Sequence, residues 1–128
     1  MKLLLDTHIW IWLLQSPGRL GSRTHQLLGN KANELWVSPI STWEALMLHR
    51  KKRIELNAEF LAWLKQSAPG FHLAPFTHEI VLAAEHLDLH ADPADRFLAA
   101  TAQVLDLTLV TADQRLLGLG NIRTMANR

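Results

Sequence analysis

The chain has 128 residues, 48% hydrophobic and 20% charged, a balance that predicts one soluble domain over residues 1–128. It contains no cysteine, which excludes disulfides and thiolate metal sites, and its net charge of +1 decides little about partners. The longest apolar run is too short to span a bilayer and the N-terminus lacks a signal-peptide pattern, so we expect a cytoplasmic protein without membrane contact.

Short apolar runs alternate with segments of helical periodicity along the whole chain. In chain order the pattern first predicts a strand at 2–5, a helix that stops at 16–18, a helix at 21–28, a strand at 35–37 and helices at 41–52 and 57–66. It then predicts a strand at 71–76, a helix at 77–87, a long helix from 92, a strand at 108–110, a helical turn at 114–117 and a strand at 122–125. Fully apolar strands separated by helices favour a parallel sheet that is covered on both faces. The predicted fold is a three-layer α/β/α sandwich with a mostly parallel sheet of about five strands.

Four acids, Asp6, Glu44, Asp95 and Asp113, stand where a predicted strand ends or the following helix begins. In an open α/β sheet, the ligand crevice lies at the carboxyl ends of the strands. Carboxylates that meet there repel one another, and a divalent cation offsets the repulsion. Mg²⁺ and Mn²⁺ prefer oxygen ligands, so the pattern predicts an all-carboxylate site for one or two of these ions.

Taken singly, each acid also has an ordinary structural explanation. Asp6 or Asp113 could bond the turn after its strand, and Glu44 could lie on a solvated helix face. Asp95 could be a first-turn acid favoured by the helix dipole, and Asp92 is a natural helix cap before a proline. The coincidence of acids at four junctions favours the metal site, with Asp92 as a further possible ligand.

A metal site of this kind can activate a water molecule and neutralise charge on a phosphodiester. Aspartate holds an ion close to a rigid strand end, whereas Glu44 must reach in from a helix. Thr7 and Thr111 flank two of the acids, and their hydroxyl groups could orient a carboxylate or a metal-bound water.

Several other residues have two open interpretations. A basic cluster could be a solvated helix end or a contact to a phosphate backbone; it comprises Arg50, Lys51, Lys52 and Arg53. Arg96 could contact substrate phosphate or pair with a nearby acid. Trp12 lies off the buried stripe of the first helix, so it could be an exposed protein contact or simply packed. For His8 we expect packing or capping at the start of that helix.

Four motifs in order resemble those of a known family. The stretches LLLDTHIWIW, SPISTWEALML, HADPADRFLAATA and LVTAD look like a PIN domain, and more narrowly like the VapC-type toxins of toxin–antitoxin pairs. The resemblance implies a Mg²⁺- or Mn²⁺-dependent ribonuclease with Asp6, Glu44, Asp95 and Asp113 as its acidic residues. It also implies a VapB-type antitoxin as partner and a homodimer, with Trp12 as a candidate antitoxin contact. Ala94 stands where relatives often carry an aromatic residue, a departure that removes no ligand.

Two alternative functions remain open at this point. A phosphohydrolase with Asp6 as nucleophile would usually have a second aspartate two residues later, where this chain has His8. A catalytically silent PIN-like RNA-binding module is disfavoured because all four acids are present. The sequence does not identify the RNA or the number of metal ions.

Overall fold

Strands and capped helices alternate along the chain in the computed structural model, which describes residues 1–87 and 92–128. The strands are β1 (Lys2–Leu5), β2 (Glu34–Val37), β3 (His72–Leu73), β4 (Thr108–Thr111) and β5 (Arg123–Ala126). The helices are α1 (Thr7–Gln15), α2 (Ser22–Gly29), α3 (Pro39–Arg50), α4 (Ala58–Lys65), α5 (His78–Glu85), α6 (Pro93–Leu105) and α7 (Gln114–Leu117), with a 3₁₀ turn at Pro17–Arg19. The first two residues of the HADPADR motif lie outside the described residues.

The five strands form one parallel sheet in the order β3-β2-β1-β4-β5. β1 lies in the middle, where Leu3 is in register with Leu35 of β2 and with Thr108 of β4. Successive side chains of a strand point to opposite faces. Leu3 and Leu5 accordingly join one buried cluster, and Leu4 joins the other.

Each cluster is closed by different helices. The first contains Trp10 of α1 and Phe60 of α4, and the second contains Ile80 of α5 and Leu98 of α6. Both faces of the sheet are therefore covered, which confirms the predicted α/β/α sandwich.

Helix starts are fixed by polar side chains that accept a main-chain N–H group. Asn57 Oδ1 accepts from the Phe60 amide at 2.7 Å, and Asp92 Oδ1 accepts from the Asp95 amide at 3.0 Å, as the sequence predicted for both caps. Ser38 Oγ accepts from the Ile40 amide, which starts α3 two residues earlier than predicted. No helix within the described ranges is both long and apolar enough to cross a bilayer.

The third strand is shorter than the sequence predicted. Only His72 and Leu73 form β3, and the amide of Ala74 makes the next bond, to the Val37 carbonyl oxygen at 2.9 Å. Pro75 has no N–H group and cannot continue the pairing. The prediction of a strand over 71–76 was therefore wrong in its length.

The connections reverse direction beside β1. The chain proceeds from β1 through β2 to β3 on one side, and it then returns to place β4 and β5 on the other. The Asp6 amide extends the β1–β4 ladder by donating to the Val110 carbonyl oxygen at 3.0 Å. In open α/β sheets a ligand crevice forms at the carboxyl ends of the strands where the order reverses. That position is occupied here by the residues that follow β1 and β4.

Candidate active site

A pocket of about 300 Å³ opens at the carboxyl ends of β1 and β4. It is lined by Asp6, His8, Trp12, Glu44, Asp92, Asp95, Ala112, Asp113 and Arg115. All five acids selected from the sequence thus border a single pocket, although they come from four separate segments of the chain.

Asp6 is the most rigidly held of these acids. It is only 7% exposed, and its Oδ1 accepts from the Thr7 amide at 2.7 Å while its Oδ2 accepts from the Thr111 hydroxyl at 2.6 Å. The Thr111 oxygen in turn accepts from the Asp113 amide at 3.0 Å. Thr111 therefore orients the Asp6 carboxylate and ties the end of β1 to the turn after β4.

Glu44 reaches the pocket from the second turn of α3. The hydroxyl groups of Thr7 and Ser41 are hydrogen-bonded with their oxygens 3.0 Å apart, which joins the start of α1 to α3. Burial raises the pKa of Glu44, and a hydrogen bond from Thr7 opposes that rise. The Thr7 side chain therefore hydrogen-bonds Glu44 and links α1 to α3, and the Thr7 amide donates to Asp6.

Asp92 and Asp95 enter from the first turn of α6. The capping bond of Asp92 keeps it at the pocket rim, where it is exposed, whereas Asp95 is 8% exposed. The predicted cap is therefore real, and capping leaves Asp92 still bordering the pocket.

The carboxylates raise one another's proton affinity. The pKa of Asp95 is raised to about 7, chiefly by burial and then by the negative charges of Asp92, Asp6, Asp113 and Glu44. Burial also raises the pKa of Asp6, against the opposing hydrogen bond from Thr111. A metal-free pocket of this kind is electrostatically unfavourable and favours any cation that enters it.

Arg115 is a pocket residue that the sequence analysis missed. Its guanidinium donates to both oxygens of Asp113, from Nε at 3.3 Å and from Nη2 at 2.9 Å, and the same Nη2 lies 3.5 Å from Asp95 Oδ2. The hydrogen bond from Arg115 lowers the pKa of Asp113, in contrast to the raised pKa values of Asp6, Glu44 and Asp95. The sequence signal that could have identified Arg115 is its position two residues after an acid at the end of a strand.

The donor chemistry of the pocket fits a hard divalent cation, since its polar lining is dominated by carboxylate oxygens. Within residues 1–87 and 92–128, no three of these side chains converge as a ready-made coordination group. A guanidinium stands between Asp95 and Asp113 instead, at the distances given above. Asp6, Glu44, Asp95 and Asp113, with Asp92 at the rim, are the residues that would hold an ion.

The basic cluster lies away from this pocket. Gln15, the last residue of α1, bonds the main chain of Glu55 and Asn57, so the segment after α3 packs at the far end of α1. The four cluster residues, Arg50, Lys51, Lys52 and Arg53, do not line the pocket. Contact of these residues with RNA stays a prediction. It would require one RNA strand to extend from the pocket to the far end of α1.

Arg96 also points away from the pocket lining. Its guanidinium donates to the carbonyl oxygens of Ala84 at 2.6 Å and Glu85 at 3.4 Å, which braces α6 against the end of α5. A cation at a helix C-terminus is favourable, so this interaction explains the position of the Arg96 guanidinium without any contact to substrate. Contact of Arg96 with substrate phosphate has no support from this geometry.

Trp12 is half-buried, so its ring lies between the two interpretations left open, an exposed protein contact and simple packing. Its ring lies 5.9 Å from the ring of His8 and 5.6 Å below the Arg19 guanidinium. His8 is exposed with its ring against that of Trp12, and the cap of α1 is Asp6, so His8 does not cap this helix. Both rings border the acidic pocket.

Comparison with known proteins places this geometry in context. The family model of the PIN domain matches residues 3–121. Ribonuclease VapC22 of Mycobacterium tuberculosis is 36% identical over 115 residues, 88% of each chain. A crystal structure of VapBC2 from Rickettsia felis bound to a DNA fragment from its promoter matches with a TM-score of 0.74 at 16% identity, over 98% of both chains. DNA-bound VapBC from Salmonella typhimurium matches with a TM-score of 0.73 at 16% identity, over 100% of this chain and 99% of that chain. The two solved structures share the fold of this chain.

Proposed function

Because the chain belongs to the PIN-domain family and is 36% identical to a VapC ribonuclease, we propose that it is an endoribonuclease toxin that depends on Mg²⁺ or Mn²⁺. The observation that carries the proposal is the convergence of five carboxylates from four chain segments on one pocket at the strand-order reversal. We expect the protein to act in the cytoplasm, where its RNA substrate is found.

In this proposal, each acid has a defined position. Asp6 is held from two sides by Thr7 and Thr111, so it keeps its orientation before any ligand arrives. Asp95 and Asp113 border the pocket from α6 and from the start of α7, and Glu44 closes it from α3. When bound, Mg²⁺ or Mn²⁺ would activate a water molecule and neutralise charge on the phosphodiester. His8, exposed at the rim, is positioned to meet the RNA.

The test is cleavage of total RNA by purified protein and by its Asp6→Asn variant, with Mg²⁺ or Mn²⁺ and with EDTA as control. We expect the variant and the EDTA sample to be inactive. The variant should fold at least as stably as wild type without metal, because the change removes a like charge from a crowded pocket.

Equal cleavage by the Asp6→Asn variant would point to a contaminating nuclease and would refute the assignment. RNA binding without cleavage by the wild-type protein would instead favour a catalytically silent RNA-binding module. Sequencing the RNA ends after brief expression would identify the cleavage site.

We further propose that a VapB-type antitoxin neutralises this protein. An apolar groove of about 230 Å³ beside α1 is lined by Leu14, Phe60 and Trp63, with Leu14 40% exposed. An amphipathic helix of the antitoxin would pack there, and a basic side chain after that helix would be attracted to the carboxylates of the pocket. Trp12 lies on the same helix, on the pocket side, where such a side chain would pass.

Trp12→Ala should weaken antitoxin binding by about 2 kcal/mol if this residue is a hot spot. The measurement is a calorimetric titration with the co-encoded antitoxin. A thermal unfolding curve of the free variant checks that the half-buried ring is not required for folding. Unchanged affinity would limit the antitoxin contact to the groove at Leu14.

A homodimer is the remaining proposed assembly. Trp43 and Leu46 of α3 are 55% and 42% exposed, and they line an apolar groove together with Leu73, which is 44% exposed. A second copy of the chain would cover this surface, and light scattering at increasing protein concentration would test it. A monomeric mass throughout would contradict the proposal.

A further inference from the structure

The guanidinium of Arg115 lies among the carboxylates of the pocket. Its Nη2 lies 2.9 Å from Asp113 Oδ2 and 3.5 Å from Asp95 Oδ2, so one guanidinium bridges two of the proposed metal ligands. These two acids come from α6 and from the start of α7, which touch the pocket from different sides. The guanidinium therefore stands where positive charge is most needed in the metal-free protein.

The Arg115 side chain is largely exposed to solvent. It is 59% exposed, and within the described residues its guanidinium hydrogen-bonds only to Asp113, with the Asp95 contact as a longer ion pair. An exposed ion pair of this type is weak and is easily exchanged for another partner. A guanidinium binds phosphate oxygens with the same two-pronged geometry that it uses for carboxylates.

We propose that Arg115 exchanges partners: it neutralises Asp95 and Asp113 in the metal-free protein, yields these carboxylates to a divalent ion, and then binds a phosphate of the RNA. The proposal rests on the metal-dependent cleavage proposed above and assigns a residue that positions substrate. A divalent ion and a guanidinium repel each other at these distances, so a metal ion bound by Asp95 and Asp113 favours release of the Arg115 side chain toward the pocket rim. The RNA backbone is the anion that follows the ion into that pocket.

The chain offers a matched control for this arginine. Arg123 is 60% exposed and lies 2.9 Å from Asp106, against 59% and 2.9 Å for Arg115 and Asp113. Arg123 begins β5, at the opposite end of the sheet from the pocket. Substituting either arginine by alanine removes one positive charge and an aspartate ion pair at 2.9 Å, but only Arg115 also pairs with a second acid of the pocket.

The first measurement is calorimetric titration of MnCl₂ into the full-length protein without RNA, at pH 8. If Arg115 competes with the ion, Arg115→Ala should bind Mn²⁺ about fivefold more tightly than wild type, and Arg115→Lys should fall between the two. Arg123→Ala should bind Mn²⁺ like wild type. This readout does not depend on RNA cleavage.

The second measurement is binding of a fluorescent single-stranded RNA of about 20 nucleotides and mixed sequence, with Ca²⁺ as the ion and the RNA checked for integrity on a gel. Arg115→Ala should bind about fivefold more weakly than wild type. Its slope of log affinity against log salt should be smaller by about 0.7, the value for one lost phosphate contact to a single strand. Arg123→Ala should match wild type in both quantities.

Three outcomes would overturn the proposal. Equal Mn²⁺ affinity of wild type and Arg115→Ala would show that the guanidinium does not occupy the place of the ion, and it would leave the nuclease assignment intact. Tighter Mn²⁺ binding with unchanged RNA affinity and salt slope would show that the freed side chain does not go to phosphate. Absence of Mn²⁺ binding by the wild-type protein would refute both this exchange and the metal-dependent function.

Discussion

Strand β4 carries an aspartate–arginine pair at each of its ends, and the two pairs share a distance and an exposed arginine but differ in their surroundings. Asp106 precedes the strand and lies 2.9 Å from Arg123, and Asp113 follows it and lies 2.9 Å from Arg115. At the amino end of β4, Asp106 is 85% exposed and borders a cavity that, apart from Asp106 and Arg123, is lined by uncharged residues. At the second end, Asp113 is 25% exposed and shares its pocket with four other carboxylates.

The difference shows that an ion pair does not by itself make a site. The amino-end pair can be satisfied by water and its own two charges, whereas the carboxyl-end pair leaves several acids without a matching cation. Strand direction creates this asymmetry, because the turns after parallel strands meet at one edge of the sheet and place their polar side chains together. The predictions below alter one end or the other of this comparison.

The largest effect is expected within the pocket, at Asp95. Asp95→Asn should lower RNA cleavage by about 100-fold or more, because it removes a buried charged ligand, without loss of stability in metal-free buffer. Asp92→Ser should keep most activity, since serine also caps a helix well. Single-turnover cleavage assays with both variants measure the contrast. Activity that survives Asp95→Asn but not Asp92→Ser would mean that Asp92 is the ligand of the pair.

Much of the pocket could be predicted because its acids are attached to regular elements. Asp6 directly follows β1, Asp113 lies two residues after β4, and Asp95 lies three residues after a cap and two after a proline, so their positions follow from strand direction and helix phase. The fold followed for the same reason, since fully apolar strands that alternate with helices admit few arrangements. The resemblance to PIN domains is confirmed by the family match.

The features that could not be predicted depend on where long side chains turn. Arg96 and Arg115 are both arginines next to acidic positions, yet one donates to the end of α5 and the other enters the pocket. The hydrophobic periodicity of the sequence does not indicate in which direction either arginine side chain turns. The length of β3, by contrast, had a signal in the sequence, since Pro75 has no N–H group with which to continue the pairing after Ala74.

The intermediate effect concerns pH and the metal-free protein. A carboxyl whose pKa is about 7 in the folded protein and 3.8 when unfolded binds extra protons in the folded state between these values. The free energy of unfolding should therefore be highest at acidic pH and fall as the pH rises from about 4 to 7. The raised pKa values of Asp6 and Glu44 act in the same direction, and the lowered pKa of Asp113 acts only at lower pH.

Urea unfolding in EDTA at pH 5 and pH 8 measures this effect. The wild-type protein should lose about 2 kcal/mol between these values, and the Asp95→Asn variant should lose clearly less. Addition of Mn²⁺ at pH 8 should restore stability to wild type more than to the variant. Parallel pH profiles of the two proteins would contradict the crowding of charge at Asp95.

The smallest effect is expected at the amino end of β4. Asp106 ends α6 in the left-handed conformation, with φ 56° and ψ 47°, a conformation that asparagine tolerates well. Asp106→Asn therefore removes the charge without backbone strain, and Arg123 keeps its bond to the Asp106 carbonyl oxygen at 3.0 Å. The free energy of unfolding should change by less than about 0.5 kcal/mol, and cleavage should be unchanged. The same isosteric change at the other end, Asp113→Asn, should abolish cleavage. Equal cleavage by the Asp106→Asn and Asp113→Asn variants would contradict the proposed difference between the two ends of β4. It would show that the Asp113 carboxylate contributes no more to cleavage than the Asp106 carboxylate does.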